Sequence, residues 1–242
     1  MKVLSTYRRL LLPLALCLAV IIQRPLARAA TQDLGPGTDI DQGVCDPLAD
    51  YYLGMEDYPQ AIRRHREVIQ REPANALAYY HLGFAYGATG DHQQELAQYE
   101  KAIALGLSDW QLFLNLGLLY ADDGRLDSAV EVMQLAELLG PYHPETHFNL
   151  GLLDERRGLY QPAEQEMLLS LRLSPDQIDA RNQLGVIYAE EGNYRRAREE
   201  WKDLLLSDPA YLPARTNLDL LGQLERGSVK RAKDDSGFTH TP

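Results

Sequence analysis

Leu82-Gly83-Phe84-Ala85-Tyr86, Leu116-Gly117-Leu118-Leu119-Tyr120 and Leu184-Gly185-Val186-Ile187-Tyr188 are one pattern written three times, with Leu150-Gly151 between the second and the third. Each Leu-Gly lies 34 residues after the last. One period back stands Leu48-Ala49, and one period on stands Leu218-Asp219. Three residues past the small residue come Tyr52, Tyr86, Tyr120, Asp154 and Tyr188; seven past it come Gly90, Gly124, Gly158 and Gly192. Pro73, Pro141, Pro175 and Pro209 close their units. A fixed period of this size decides the architecture, because each unit is then one supersecondary element that must stack on its neighbours to bury its apolar face.

The recurring residue types have physical reasons. Glycine inside a helix costs about 1 kcal/mol relative to alanine, so its repeated use calls for a compensating gain, which close approach of a second helix supplies. The second glycine breaks the first helix and permits a tight turn into the next. Ala61, Ala129, Ala163 and Ala197 then lie on the second helix as small contacts, and proline ends the unit.

These units resemble tetratricopeptide repeats (TPRs) in their Leu-Gly, Tyr, Gly, Ala and terminal Pro pattern. The resemblance covers 42–211 as five units, 42–75, 76–109, 110–143, 144–177 and 178–211. It implies an all-α fold, a right-handed TPR superhelix (solenoid) of helix-turn-helix repeats. A C-terminal capping helix is expected over 212–225, with Leu218, Leu221 and Leu224 inward. The second unit departs from the pattern with Glu95 at the small position and Leu107 in place of Pro, and the fourth with Asp154 in place of the aromatic. Residues 226–242 have no apolar period and are expected to be disordered.

The first 29 residues read as an address. Lys2, Arg8 and Arg9 precede an uncharged apolar run over 10–22, and Ala27-Arg28-Ala29 offers a small-residue cleavage site. The run is shorter than the roughly 20 residues a spanning helix needs. The expectation is a cleaved signal peptide, an exported protein that is periplasmic or secreted, and a short linker over 30–41. The competing reading is an uncleaved signal acting as an anchor. Leu14-Ala15-Leu16-Cys17 has Leu where a lipoprotein signal wants a small residue, and Arg8-Arg9 precedes a run typical of general secretion. Cleavage would remove five basic residues and no acidic one, taking the net charge from -11 to -16 and leaving Cys45 as the sole thiol.

The family resemblance assigns the fifth, sixth and ninth positions of each unit to the inner face. The candidate peptide-binding groove is Tyr80, Phe84, Leu114, Asn115, Leu118, Phe148, Asn149, Leu152, Gln183 and Val186. Positions five and nine are four apart and share one helical face, so units two to four carry an apolar stripe that either packs against neighbouring helices or meets a ligand. Position six carries His81, Asn115, Asn149, Gln183 and Asn217. A carboxamide donates and accepts, so such a row can pair with the backbone of an extended peptide; it resembles the asparagine ladder of the TPR superhelix of O-GlcNAc transferases. Asparagine is also common at this position in TPRs generally, and a structural role for the row stays open. The basic side chains of carboxylate-clamp TPRs are missing, since Asp46, Asp50, Gln111 and Asn115 stand in their places.

Composition narrows the function classes. With 45% hydrophobic and 24% charged residues the chain fits neither a disordered nor a polytopic membrane protein, and its two cysteines exclude a disulfide framework. The net charge of -11 argues against nucleic acid as a partner. His143 and His147 have ligand-like spacing but Pro144 between them and no third ligand in view. Glu190-Glu191 and Asp122-Asp123 read as solvated turns. No phosphate loop, nucleophile elbow or Cys/His pair is present, and neither cofactor nor metal is expected. The function expected is a non-enzymatic exported scaffold or assembly adaptor that holds an apolar or extended segment of a partner protein in the concave groove. Alternatives are a groove-based enzymatic or glycan-binding activity, or a self-assembling structural protein.

Overall fold

Asp46 opens the first helix by accepting backbone hydrogen bonds from Leu48 and Ala49, with Pro47 at the first helical position where a missing N–H costs nothing. Asp57, Asn75, Asp91, Asp109 and Asn193 cap later helices in the same manner. The computed structural model describes residues 45–236. The signal sequence and linker expected before Cys45 lie outside the described residues. Among those described there are eleven helices and no strand: α1 (Pro47–Gly54), α2 (Tyr58–Arg71), α3 (Ala76–Ala88), α4 (His92–Ala104), α5 (Trp110–Asp122), α6 (Leu126–Leu139), α7 (Pro144–Arg156), α8 (Tyr160–Leu173), α9 (Ile178–Glu190), α10 (Tyr194–Ser207) and α11 (Leu212–Ser236). Two helices fall in each 34-residue unit, as the periodicity requires.

The turn within each unit follows one scheme. The amide three residues past the helix end reaches back to the carbonyl at the repeated tyrosine position: Asp91 to Tyr86 at 2.9 Å, Arg125 to Tyr120 at 2.8 Å, Asn193 to Tyr188 at 2.7 Å. This closure needs a left-handed residue just before it. Gly124 takes φ 76° and Gly192 takes φ 82° for that purpose. The first unit has the same closure, Asp57 to Tyr52 at 2.9 Å, but Glu56 occupies the left-handed position at φ 56°. In the second unit, where the terminal Pro is missing, Gly106 at φ 94° ends α4 instead.

The Leu-Gly glycines sit where the helices of a pair meet. A Cβ on Gly83 would lie 2.7 Å from the ring of Tyr99, and one on Gly117 would lie 2.5 Å from Met133 Cγ. Gly185 faces the indole of Trp201 in the same way. Each large residue stands sixteen positions after its glycine, so the small residue of the first helix receives the large residue of the second. Glu95, the departure at the small position of the second unit, is buried with its carboxylate against Gly87 and paired with His92 at 3.0 Å.

Among the described residues, 45–153 pack as one compact unit and 154–236 as another. The division falls inside α7, at the position where the repeated tyrosine is replaced by aspartate. In the N-terminal unit, Tyr80, Tyr99, Leu112, Leu116 and Leu119 form one cluster and Leu114, Leu118, Met133, Leu150 and Leu153 form another. In the C-terminal unit Ile187, Trp201, Leu204 and Ala214 are fully enclosed.

The last helix starts at Leu212 and buries Leu221 while Leu218 and Leu224 are half-buried. It continues to Ser236, past the expected boundary at 225. Lys, Arg and Ala in this stretch favour helix and no proline interrupts it. No helix among the described residues is long and apolar enough to cross a membrane.

Candidate functional site

The first helices of the units carry the ten groove candidates, and their burial sorts them. Leu114 and Leu118 belong to the core cluster with Leu150 and Leu153; Tyr80 belongs to the cluster around Tyr99. Phe148, Asn149, Gln183, Val186 and Asn115 are buried. Phe84 and Leu152 are half-buried, packed at the edges of their clusters.

The sixth-position amides make links within each unit of packing. Asn115 Nδ2 donates to Tyr80 Oη at 3.3 Å, and Asn217 Nδ2 donates to Asn182 Oδ1 at 3.2 Å. In both cases position six reaches position five of the preceding repeat, 35 residues earlier. Asn149 Nδ2 donates to the Glu145 carbonyl at 2.8 Å. These contacts give the row a structural employment in the protein without a ligand, since a buried amide must be paired.

His81, also at position six, does something different. Its Nδ1 donates to Asp50 Oδ1 at 2.9 Å. The other oxygen of Asp50 accepts from the backbone amides of Cys45 at 3.0 Å and Asp46 at 3.3 Å, which fixes the carboxylate and turns Oδ1 inward. His65 comes from α2, its Nε2 3.9 Å from the same Oδ1 and its Nδ1 3.9 Å from Cys45 Sγ. The two imidazoles meet edge to face with centroids 5.2 Å apart. His65 is 0% exposed, and its Nε2 has no hydrogen-bond partner. One donor atom from each of Cys45, Asp50, His65 and His81 lies within 4.8 Å of all the others, close enough to share an ion.

The electrostatics of this cluster follow from its burial. Burial, then the charges of Asp50 and Asp46, push the Cys45 thiol up to about 12. Burial, then His81, hold His65 down at about 4. Burial works to raise Asp50, but the hydrogen bond and charge of His81 outweigh it and keep the carboxylate below its usual range.

Sequence reading did not bring these four together. Three signals were present. Cys45 is the sole thiol after the expected cleavage, His81 stands where other units carry amides, and His65 stands sixteen residues after Ala49 in the slot that Tyr99, Met133 and Trp201 fill elsewhere.

The other histidine and carboxylate candidates resolve otherwise. His143 stacks on Trp110 with centroids 3.6 Å apart, and His147 Nε2 donates to the Pro141 carbonyl at 3.0 Å. Glu190, taken from sequence as part of a solvated turn, faces Glu155 in the C-terminal unit. Burial and then the Glu155 charge raise Glu190 to about 8, and burial raises Glu155 as well, so the two carboxyls share a proton.

A profile of the tetratricopeptide repeat family matches residues 47–106 and 85–144. No curated protein sequence matches the chain. Among solved structures, a tetratricopeptide repeat protein from Parabacteroides merdae is similar over 81% of this chain and 78% of its own, at 21% identity and a TM-score of 0.66. YrrB, described as a TPR protein with an unusual peptide-binding site, is similar over 74% of this chain and 95% of its own, at 21% identity and 0.64. MamA from Desulfovibrio magneticus is similar over 70% of this chain and 99% of its own, at 16% identity and 0.61. At these identities the likeness is one of fold. Residues 47–144 thus match the tetratricopeptide repeat family, and the all-α repeat fold of the described residues is the one the solved repeat structures share.

Proposed function

We propose that this protein is an exported, non-enzymatic scaffold that holds an apolar or extended segment of a partner protein against the first helices of its repeats. The observation that carries the reading is the tandem repeat itself: first helices recur every 34 residues and present like positions in series, an arrangement that suits a linear ligand. YrrB, which shares the fold, is described as having a peptide-binding site. Phe84 and Leu152, half-buried on the stripe, are the contacting side chains. Leu152 packs on the cluster that holds Leu114 and Leu118, and Phe84 on the cluster of Leu53, Ala61 and Ala85. Asn115, bonded to Tyr80 of the preceding first helix, acts as a positioning group between the two. The acidic balance favours a ligand segment with neutral or basic flanks.

The test uses a photo-crosslinking residue at Phe84 and, separately, at Leu152 in the native envelope. The expected result is the same captured protein from both positions, with binding of that purified protein lost in Phe84→Asp and Leu152→Asp variants that melt like the wild type. Unchanged binding in both variants refutes the groove. Recovery of the protein in the cytoplasm with Met1 intact refutes export.

A further inference from the structure

We propose that Cys45, Asp50, His65 and His81 form a binding site for a divalent transition metal, of the four-coordinate kind zinc favours, which fastens the first repeat to the second. The donors come from four successive pieces of chain: Cys45 precedes α1, Asp50 lies in it, His65 lies in α2 and His81 in α3. A bound ion therefore joins both helices of one repeat to the first helix of the next.

The donor set suits such an ion. Thiolate, imidazole and carboxylate are the three ligand types zinc takes in proteins, at bond lengths of about 2.0–2.3 Å. Ligand atoms around a tetrahedral centre of that size stand roughly 3.3–3.8 Å apart. The distances here bracket that value: 2.9 Å from His81 Nδ1 to Asp50 Oδ1, 3.9 Å from Asp50 Oδ1 to His65 Nε2, and every donor within 4.8 Å of the rest. Small side-chain rotations close the remaining difference. Charge agrees as well. One thiolate and one carboxylate neutralise a dication, so the enclosed site carries no net charge once the thiol proton has left to solvent.

Two features distinguish this cluster from a polar patch that merely happens to be buried. His65 is fully enclosed yet its Nε2 has no hydrogen bond, and leaving such an atom unpaired is unfavourable. Asp50 also has the orientation a ligating carboxylate needs: backbone amides of Cys45 and Asp46 hold one oxygen, and the other points at both histidines. Partners of that kind outside the ligand set are what orient metal-binding side chains.

Cobalt(II) reports this geometry directly. The full chain, reduced and stripped of metal, is titrated with Co2+ and then with Zn2+. The expected result is one Co2+ per chain, with strong visible bands of a four-coordinate centre and a near-ultraviolet thiolate-to-cobalt band, both bleached by equimolar Zn2+. Zn2+ should also raise the melting temperature in a concentration-dependent way. Cys45→Ser, at a half-buried position, should lose the thiolate band while keeping the wild-type circular dichroism. His81→Gln should bind at least tenfold more weakly. Only a pale six-coordinate cobalt spectrum from the wild type overturns the proposal. So does Zn2+ affinity equal to the wild type's in both folded variants. Neither result bears on capture of a partner at Phe84 or Leu152, so this site and the groove stand or fall separately.

Discussion

Replacing Gly185 with alanine tests the packing rule on which the repeat rests. In an open helix the change is favourable by about 1 kcal/mol. Here the new Cβ would sit 2.7 Å from Cε2 and 2.9 Å from Cδ1 of Trp201, well inside contact distance. The indole cannot swing aside freely, because it is fully enclosed and its Nε1 donates to the Asn182 carbonyl at 3.1 Å. Overpacking of this sort costs about 1–3 kcal/mol, and losing the hydrogen bond adds about 1 kcal/mol. Set against the helix gain, the expected net loss is about 1–3 kcal/mol. The chain has two tryptophans, so a Trp110→Phe background leaves Trp201 as the sole indole reporter, and it lies in the C-terminal unit. Urea unfolding followed by its fluorescence should show a lower midpoint for Gly185→Ala. Gly54→Ala is the control: nothing lies within 4 Å of its Cβ position, and its midpoint, read by circular dichroism, should not fall. A Gly185→Ala protein as stable as its parent would show that the two helices do not meet as described.

Glu56→Gly should stabilise the N-terminal unit by up to about 1 kcal/mol, because a side chain at φ 56° bears a strain that glycine does not; thermal melts that fall on this change would contradict the turn geometry. For Glu190 the folded value near 8 lies above the ordinary 4.5, so the folded state holds its proton longer than the unfolded chain. Its contribution to stability is complete below about 4.5 and is lost as pH rises through about 8, and the difference between wild type and Glu190→Gln in unfolding midpoint should change over that window. A constant difference would refute the shared proton. Asn217→Ala removes the amide that Asn182 accepts from and should cost about 1–2 kcal/mol in a urea melt; an unchanged midpoint would free the sixth position for ligand.

The sequence carried the architecture because the repeat writes the same packing problem several times. Gly83, Gly117 and Gly185 could be read as helix contacts without coordinates, and Tyr99, Met133 and Trp201 are the groups they admit. The turn glycines were legible for the same reason. What could not be read was a use of one position that differs from unit to unit. Asn115 and Asn217 bond to the repeat before them, whereas His81 bonds to Asp50, and nothing in the residue types at position six announces that split. Whether the apolar stripe packs inward or outward was also undetermined, since a four-residue spacing places two side chains on one face without saying what covers it. Core clusters now hold Leu114 and Leu118, while Phe84 and Leu152 remain half-buried.

The first unit departs from the repeat pattern at three positions. It has Ala49 in place of the contact glycine, Glu56 in place of the turn glycine, and His65 where other units place a large, well-packed side chain. Two of these changes weaken that unit relative to its neighbours: Glu56 holds a left-handed backbone where glycine would carry no strain, and the imidazole of His65 brings a buried nitrogen without a partner into the slot that Trp201 fills by donating to a carbonyl. In an array whose stability is a sum of repeat and neighbour terms, such a unit would be the first to open. The same unit supplies three of the four donors of the proposed metal site, and the fourth, His81, belongs to the repeat on which it stacks. A metal bound there would act on the weakest unit and on its junction with the next, converting the unpaired nitrogen from a liability into a ligand. Metal removal should therefore lower hydrogen-exchange protection in α1 and α2 first, with α5 and α6 unaffected, a local pattern that a general loss of stability would not produce.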